Sequence, residues 1–185
     1  MTLPVYSEVT MEINNITLLS QEDCANYINE AKTLRDEVKL VEDPISDLGF
    51  SGINKQLSTI QSAKERMTDI LLKAITNKSN AQRLCNNVKA NYSVEYAIAM
   101  TSDPEVVSQS SKEKREAAAG VKTRDQYALL QQAEDNLSQA NIFNQVISTI
   151  AKDLENKQDL LLKQIDIVKM SMVVHPDVRE SLSNN

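Results

Sequence analysis

Between Ile53 and Met100 the chain runs for 48 residues without a glycine or a proline, and this stretch constrains the fold more than any other feature. Positions 53, 57, 60, 64, 67, 71, 74, 78, 81, 85, 88, 92, 95 and 99 alternate steps of four and three, and eleven of the fourteen are apolar or aromatic. That period is one face of a helix repeated along its length. The exceptions are Lys64, Lys78 and Glu95, and the polar run Asn77-Lys78-Ser79-Asn80 reads as a weak point midway. At about 1.5 Å per residue such a helix extends roughly 70 Å, longer than a compact globule of this chain length accommodates.

A second seam of the same kind runs through Leu130, Ala133, Leu137, Ala140, Asn144, Ile147, Ala151, Leu154, Gln158, Leu161, Ile165, Val168 and Met172. Thr123, with Gln126 three residues on, has the form of a capping box and is expected to start this helix, which His175-Pro176 would stop. The resulting spans of 48 and 52 residues match. Matched amphipathic helices in succession are best satisfied by folding back, so the expected fold is all-α: an antiparallel coiled-coil hairpin over 53–174 with a polar tip at 101–122. Within the tip, Ser111 to Ala119 could form a short solvated helix ending at Gly120.

Ahead of the hairpin, Ser20 reads as an N-cap with Glu22 and Asp23 in the first turn. A shorter third helix is therefore expected over 20–42, with Cys24, Tyr27, Ala31, Leu34, Val38 and Val41 on its apolar face. Pro44, Gly49 and Gly52 mark 43–52 as a linker. Residues 1–19 form an extended N-terminal segment, in which Val5, Ser7, Val9, Met11 and Ile13 alternate with polar residues as in a strand; Ile16 to Leu19 could turn back on it as a hairpin. A two-stranded unit is marginal alone. Val5, Val9, Met11 and Ile13 are thus candidate interaction residues of an assembly element. Residues 175–185 read as a tail.

Composition agrees with long helices: 3 Gly, 4 Pro, 4 % aromatic residues and no Trp against 41 % apolar residues. It also limits the chemistry. One histidine, His175, and two cysteines, Cys24 and Cys85, cannot assemble a His/Cys metal cluster within one chain. Both thiols fall on apolar stripes and read as small hydrophobes in a reduced setting. The methionines Met67, Met100, Met170 and Met172 read as core filling. Glu134-Asp135 and Asp153/Glu155 do not share a helical face as acid/base pairs would, and phosphate-loop, dinucleotide and nucleophile-elbow motifs are absent. An enzyme is not expected, nor a cofactor.

Asn144 and Gln158 occupy seam positions where apolar residues belong. Such residues either fix register in a coiled coil or face a wet gap. Lys112, Lys114 and Arg115, with Lys122 and Arg124, gather at the tip, where an acidic partner or a phosphate backbone could meet them. Glu113 and Glu116 are interleaved, no aromatic side chain stands among them to stack a base, and the net charge is −6. A solvated face is the first reading of this cluster and nucleic acid the second. Residues 1–19 lack the basic start and unbroken apolar run of a signal peptide, and no stretch approaches the length of a membrane span. The four Asn-x-Ser/Thr triplets, at Asn15, Asn77, Asn91 and Asn136, then carry no weight.

The long helix ending in Asn91-Tyr-Ser-Val-Glu-Tyr, the insertion Lys114-Arg-Glu-Ala-Ala-Ala-Gly, and the return helix with Ala133-Glu-Asp-Asn-Leu, Lys157 and Lys163-Gln-Ile resemble small helical-hairpin proteins of tailed bacteriophages. The likeness spans about Asn54 to Met170. It implies either a virion structural subunit or a recombination mediator acting on single-stranded DNA, and it transfers no functional residue. The sequence thus leads to a non-enzymatic structural or interaction protein that self-associates or joins a larger assembly without a membrane, in the cytoplasm or, if viral, in the host cytoplasm or virion. A single-stranded DNA accessory protein working through the tip is the alternative.

Overall fold

The computed structural model describes residues 16–38 and 49–174. Five helices carry almost all of them: α1 Gln21–Glu37, α2 Gly49–Ser102, α3 Pro104–Val107, α4 Lys112–Lys122 and α5 Arg124–Val174. The described residues contain no strand. The fold is all-α, and α2 and α5 reach 54 and 51 residues. The contacts sort into two units: Ile75–Ile142 with the chain up to Leu19, and Ser20–Ala74 with Phe143–Asn185.

In the second unit Ser20 caps α1 as its side chain and spacing require: its hydroxyl accepts from Asp23 N, and the Asp23 carboxylate accepts from Ser20 N, closing the reciprocal box. Ala31, Leu34 and Val38 carry the buried face. Arg66 meets Glu30 at 3.0 Å, and Lys73 Nζ lies 4.4 Å from the Tyr27 ring centroid. As the α1 number rises the α2 number falls, so α1 runs antiparallel to α2. The helix expected over 20–42 ends early, at Glu37. Val38 leaves helical geometry with ψ near 85°, and Lys157 Nζ donates to Arg35 O and Val38 O at 2.6 and 2.8 Å. An ammonium from α5 thus takes carbonyls that a continuing helix would have used.

Gly49 to Gly52, expected to belong to the linker 43–52, are already helical, because α2 starts at Gly49. Amides of a first turn have no intrahelical partner in any case, and the buried Ile53 anchors the helix just beyond it. The buried face of α2 in this unit is wider than the two-position seam. Besides Ile53, Ile60, Met67 and Ala74 it includes Ala63 and Ile70, one step aside. Ala63 and Ile70 flank Arg66 and Lys73, the residues that touch α1, so the extra width serves a second neighbour.

In the first unit, Ile16–Leu19 is not a strand. Leu19 N donates to Asn77 Oδ1 at 2.9 Å, and Asn80 Nδ2 donates to Thr17 O at 3.1 Å. These bonds satisfy backbone groups that a hairpin partner would otherwise have taken. The run 77–80 is no weak point, since α2 passes through it as unbroken helix. Asn77 is buried in place of the exposed Lys78. The N-terminal strand expected at 5–13, the linker residues 39–48 and the tail 175–185 lie outside the described residues.

At the tip, Asp103 caps α3 by accepting from Glu105 N and Val106 N, with Pro104 at the first helical position, where its missing amide hydrogen is not needed. Ser111 caps α4 as expected, accepting from Lys114 N. The tip is not merely solvated, because Val106, Ala119 and Ala99 bury one another with Tyr96, Met100 and Ala118 packed around them. Gly120 does not end α4, which continues to Lys122. Thr123 does not open a capping box. Its amide and hydroxyl both donate to Ala119 O at 2.9 Å, because α4 abuts α5 and supplies that carbonyl. The Gln126 Oε1 that the box would have used is buried without a partner.

Candidate functional site

The basic tip is built on α4 and its junction with α5. Lys112, Lys114 and Arg115 lie exposed on the first turns of α4, as the sequence places them. Lys112 pairs with Glu116 at 3.7 Å, one turn on. Lys122 is held by Glu105 at 2.5 Å and Asp103 at 3.6 Å. The hydrogen bond that Lys122 donates to Glu105, aided by the charge of Asp103, raises the Lys122 pKa against its partial desolvation. Burial pushes the Asp103 carboxyl up, but the amides of Glu105 and Val106 together with Lys122 more than offset it, leaving it below the ordinary carboxylate value. Glu113 is lowered too, by its own amide and the Ser111 hydroxyl. The tip is therefore a mixed surface whose acids occupy part of its basic charge internally.

The seam residues separate into two cases. Gln158 is matched: Lys64 Nζ donates to its Oε1 at 2.6 Å, so an exception in each seam meets the other. Asn144 is not, and its Oδ1 is buried without a partner, as is Gln164 Oε1. The interaction residues Val5, Val9, Met11 and Ile13 lie outside the described residues. Cys85 is buried and Cys24 half-buried. Burial, then the charge of Asp23, raises the Cys24 thiol pKa, which disfavours the reactive thiolate. Among the described residues no group of three or more His, Cys, Asp or Glu side chains is placed to hold a metal ion. No helix among them is long and apolar enough to cross a membrane.

Two kinds of residue escape the two-position reading. Asn77 and Asn80 grip the incoming chain, and Lys157 caps α1. The signal for Asn77 and for Lys157 is a third line at steps of seven beside each seam. On α2 it passes through Ala63, Ile70, Asn77, Leu84, Asn91 and Ile98; on α5 it passes through Asn136, Phe143, Ile150, Lys157 and Gln164. Met170, read as core filling, is 70 % exposed because it falls between seam positions 168 and 172; Met67 is buried as expected. Comparison with protein families, with curated proteins and with solved structures finds no match.

Proposed function

We propose that this protein is a non-enzymatic helical interaction protein whose α2 and α5 pair as an antiparallel coiled-coil hairpin, acting as a subunit of a larger assembly. Three contacts support the hairpin. Tyr92 of α2 packs against Tyr127 of α5 with ring centroids 5.7 Å apart, and in the same unit Asp103, just past the end of α2, meets Lys122, just before the start of α5, so the numbering on the two sides runs in opposite senses. In the other unit Lys64 meets Gln158.

The observation that carries the assembly reading is a second apolar line on α5, outside the seam. Leu160, Ile167 and Met170 are 47 %, 63 % and 70 % exposed, at steps of seven and three. Scattered exposed hydrophobics are ordinary, but a row at helical spacing on a helix that already has a buried seam presents a second face to another helix. A virion subunit of the tailed-phage kind, which the sequence resembles, is the specific form of this reading. The internal pairing of Lys112 and Lys122 weighs against a DNA accessory role.

Light scattering tests the proposal. The wild-type chain should have a native mass above that of one chain, and Leu160→Glu with Met170→Glu should lower it without loss of helicity. A monomeric wild type, or a native mass indifferent to both changes, refutes the assembly role.

A further inference from the structure

Lys163 stands in the middle of the apolar line on the outer side of α5. Asn156, Leu160, Lys163, Ile167 and Met170 follow steps of four and three, and all five are exposed. They make a second seam on the helix, beside the one that buries Leu154, Leu161 and Ile165. The end of α1 meets α5 at Lys157, which bonds its last carbonyls, so the second seam begins at the level where α1 stops. Its charges are placed unevenly. Lys163 lies within the line, while Asp166 flanks it and is 3.5 Å from Lys169 on the turn that follows.

These charges select the occupant and its direction. A second copy of α5 laid parallel on the seam would set Lys163 against Lys163 and Asp166 against Asp166 at equal heights, which repels. Laid antiparallel about a two-fold axis near Ile165, Leu160 meets Met170 of the second copy and Lys163 meets its Ile167. The stem of Lys163 then covers that isoleucine, and its ammonium reaches the edge of the seam beside Asp166 of the second copy. Two-fold symmetry makes each of these contacts twice. The two Asp166 side chains, drawn together near the axis, are each flanked by their own Lys169 and by Lys163 of the other chain. In the same register Asn156 comes level with Val174, the last residue of α5, so α1 of either copy lies outside the paired stretch. An apolar row alone would accept any amphipathic helix; a row whose charges complement themselves on reversal fits another copy of itself.

We propose that the stretch 156–174 of α5 pairs antiparallel with the same stretch of a second copy, through Leu160, Ile167 and Met170 and two symmetric contacts between Lys163 and Asp166. This pairing rests on the assembly reading of the same face and names its partner.

Exchanging the charges tests it in the full chain, with native mass read by analytical ultracentrifugation at low salt, where exposed charges are least screened. Lys163→Glu alone and Asp166→Lys alone each place like charges together twice across the axis, and each should weaken self-association at least about tenfold. Mixed in equal amounts, the two variants should associate again, since each chain presents the charge that the other needs; circular dichroism confirms that both keep their helices. A mixture no stronger than its separate components, from a wild type that self-associates, overturns the pairing and leaves the assembly reading standing. A monomeric wild type overturns both. Direction is read in a Cys24→Ser, Cys85→Ala background: chains with Leu160→Cys and chains with Met170→Cys should oxidise mainly to the mixed disulfide, whereas Leu160→Cys chains that link chiefly to one another reveal a parallel pair and overturn the proposal.

Discussion

Lys157→Met should release α1 while leaving the rest of its unit folded. Methionine keeps most of the unbranched stem and its packing but removes the ammonium that donates to Arg35 O and Val38 O. Hydrogen bonds to a charged group are worth about 1.5–3 kcal/mol each, and since these carbonyls sit at a half-buried helix end, where water can replace the donor, about 2 kcal/mol for the pair is the reasonable figure. The apolar anchor of α1 is Leu34 and Val38 with Ala31, and burying the two larger side chains is worth about 3–6 kcal/mol. The exposed Arg66–Glu30 pair adds at most about 1 kcal/mol. The loss is therefore a large part of what docks the helix, and 2 kcal/mol corresponds to a roughly 30-fold rise in the undocked population.

Hydrogen exchange reads this directly. Amides in the second half of α1 should exchange about 30-fold faster in the variant, while those around Leu154 and Leu161 on α5 hold their protection. Unchanged exchange in α1 would show that the Lys157 bonds contribute nothing to docking. A uniform loss across α5 would show that Lys157 belongs to the global core instead.

Gly120→Ala should raise stability by about 0.4–1 kcal/mol in thermal unfolding, because Gly120 lies inside α4 and an added methyl meets no atom within 4 Å. Asn144→Leu should also stabilise, by about 1 kcal/mol, since it removes a buried oxygen that has no partner, whereas Gln158→Leu should destabilise by a similar amount because it strands the Lys64 ammonium. If Asn144→Leu instead lowers stability or alters native mass, the residue sets register. Asp103, with its folded pKa below the unfolded value, gives the tip stability that is complete above the unfolded value and is lost as pH falls through the folded one. Tip helicity should therefore fail on acidification below the ordinary aspartate range, and Asp103→Asn, still able to cap, should flatten that dependence.

The long helices were legible because their information is local. Two seams at steps of four and three, free of Gly and Pro, admit no other regular structure, and the caps at Ser20 and Ser111 need only residues three positions away. What escaped was set at long range. The end of α1 is decided by Lys157, more than a hundred residues downstream, so a proline at 44 looked like the stop. Thr123 has the residues of a capping box, but the box requires an incoming chain that is not helical; α4 arrives as helix, and its Ala119 carbonyl takes the hydroxyl. Of the candidate site, the exposure of Lys112, Lys114 and Arg115 followed from their composition, whereas the capture of Lys122 depended on how α3 turns.

The polar residues that interrupt the apolar faces follow one rule. An apolar seam can bury side chains from another helix, but it cannot satisfy peptide groups of an irregular segment or a helix end, each of which needs a donor or acceptor when it is covered. Asn77 and Asn80 stand where Thr17 and Leu19 cross α2, and Lys157 stands where α1 ends. Lys64 and Gln158 break their seams together and satisfy each other. An interruption at seven-residue spacing beside a seam therefore marks where backbone other than the paired helix comes in.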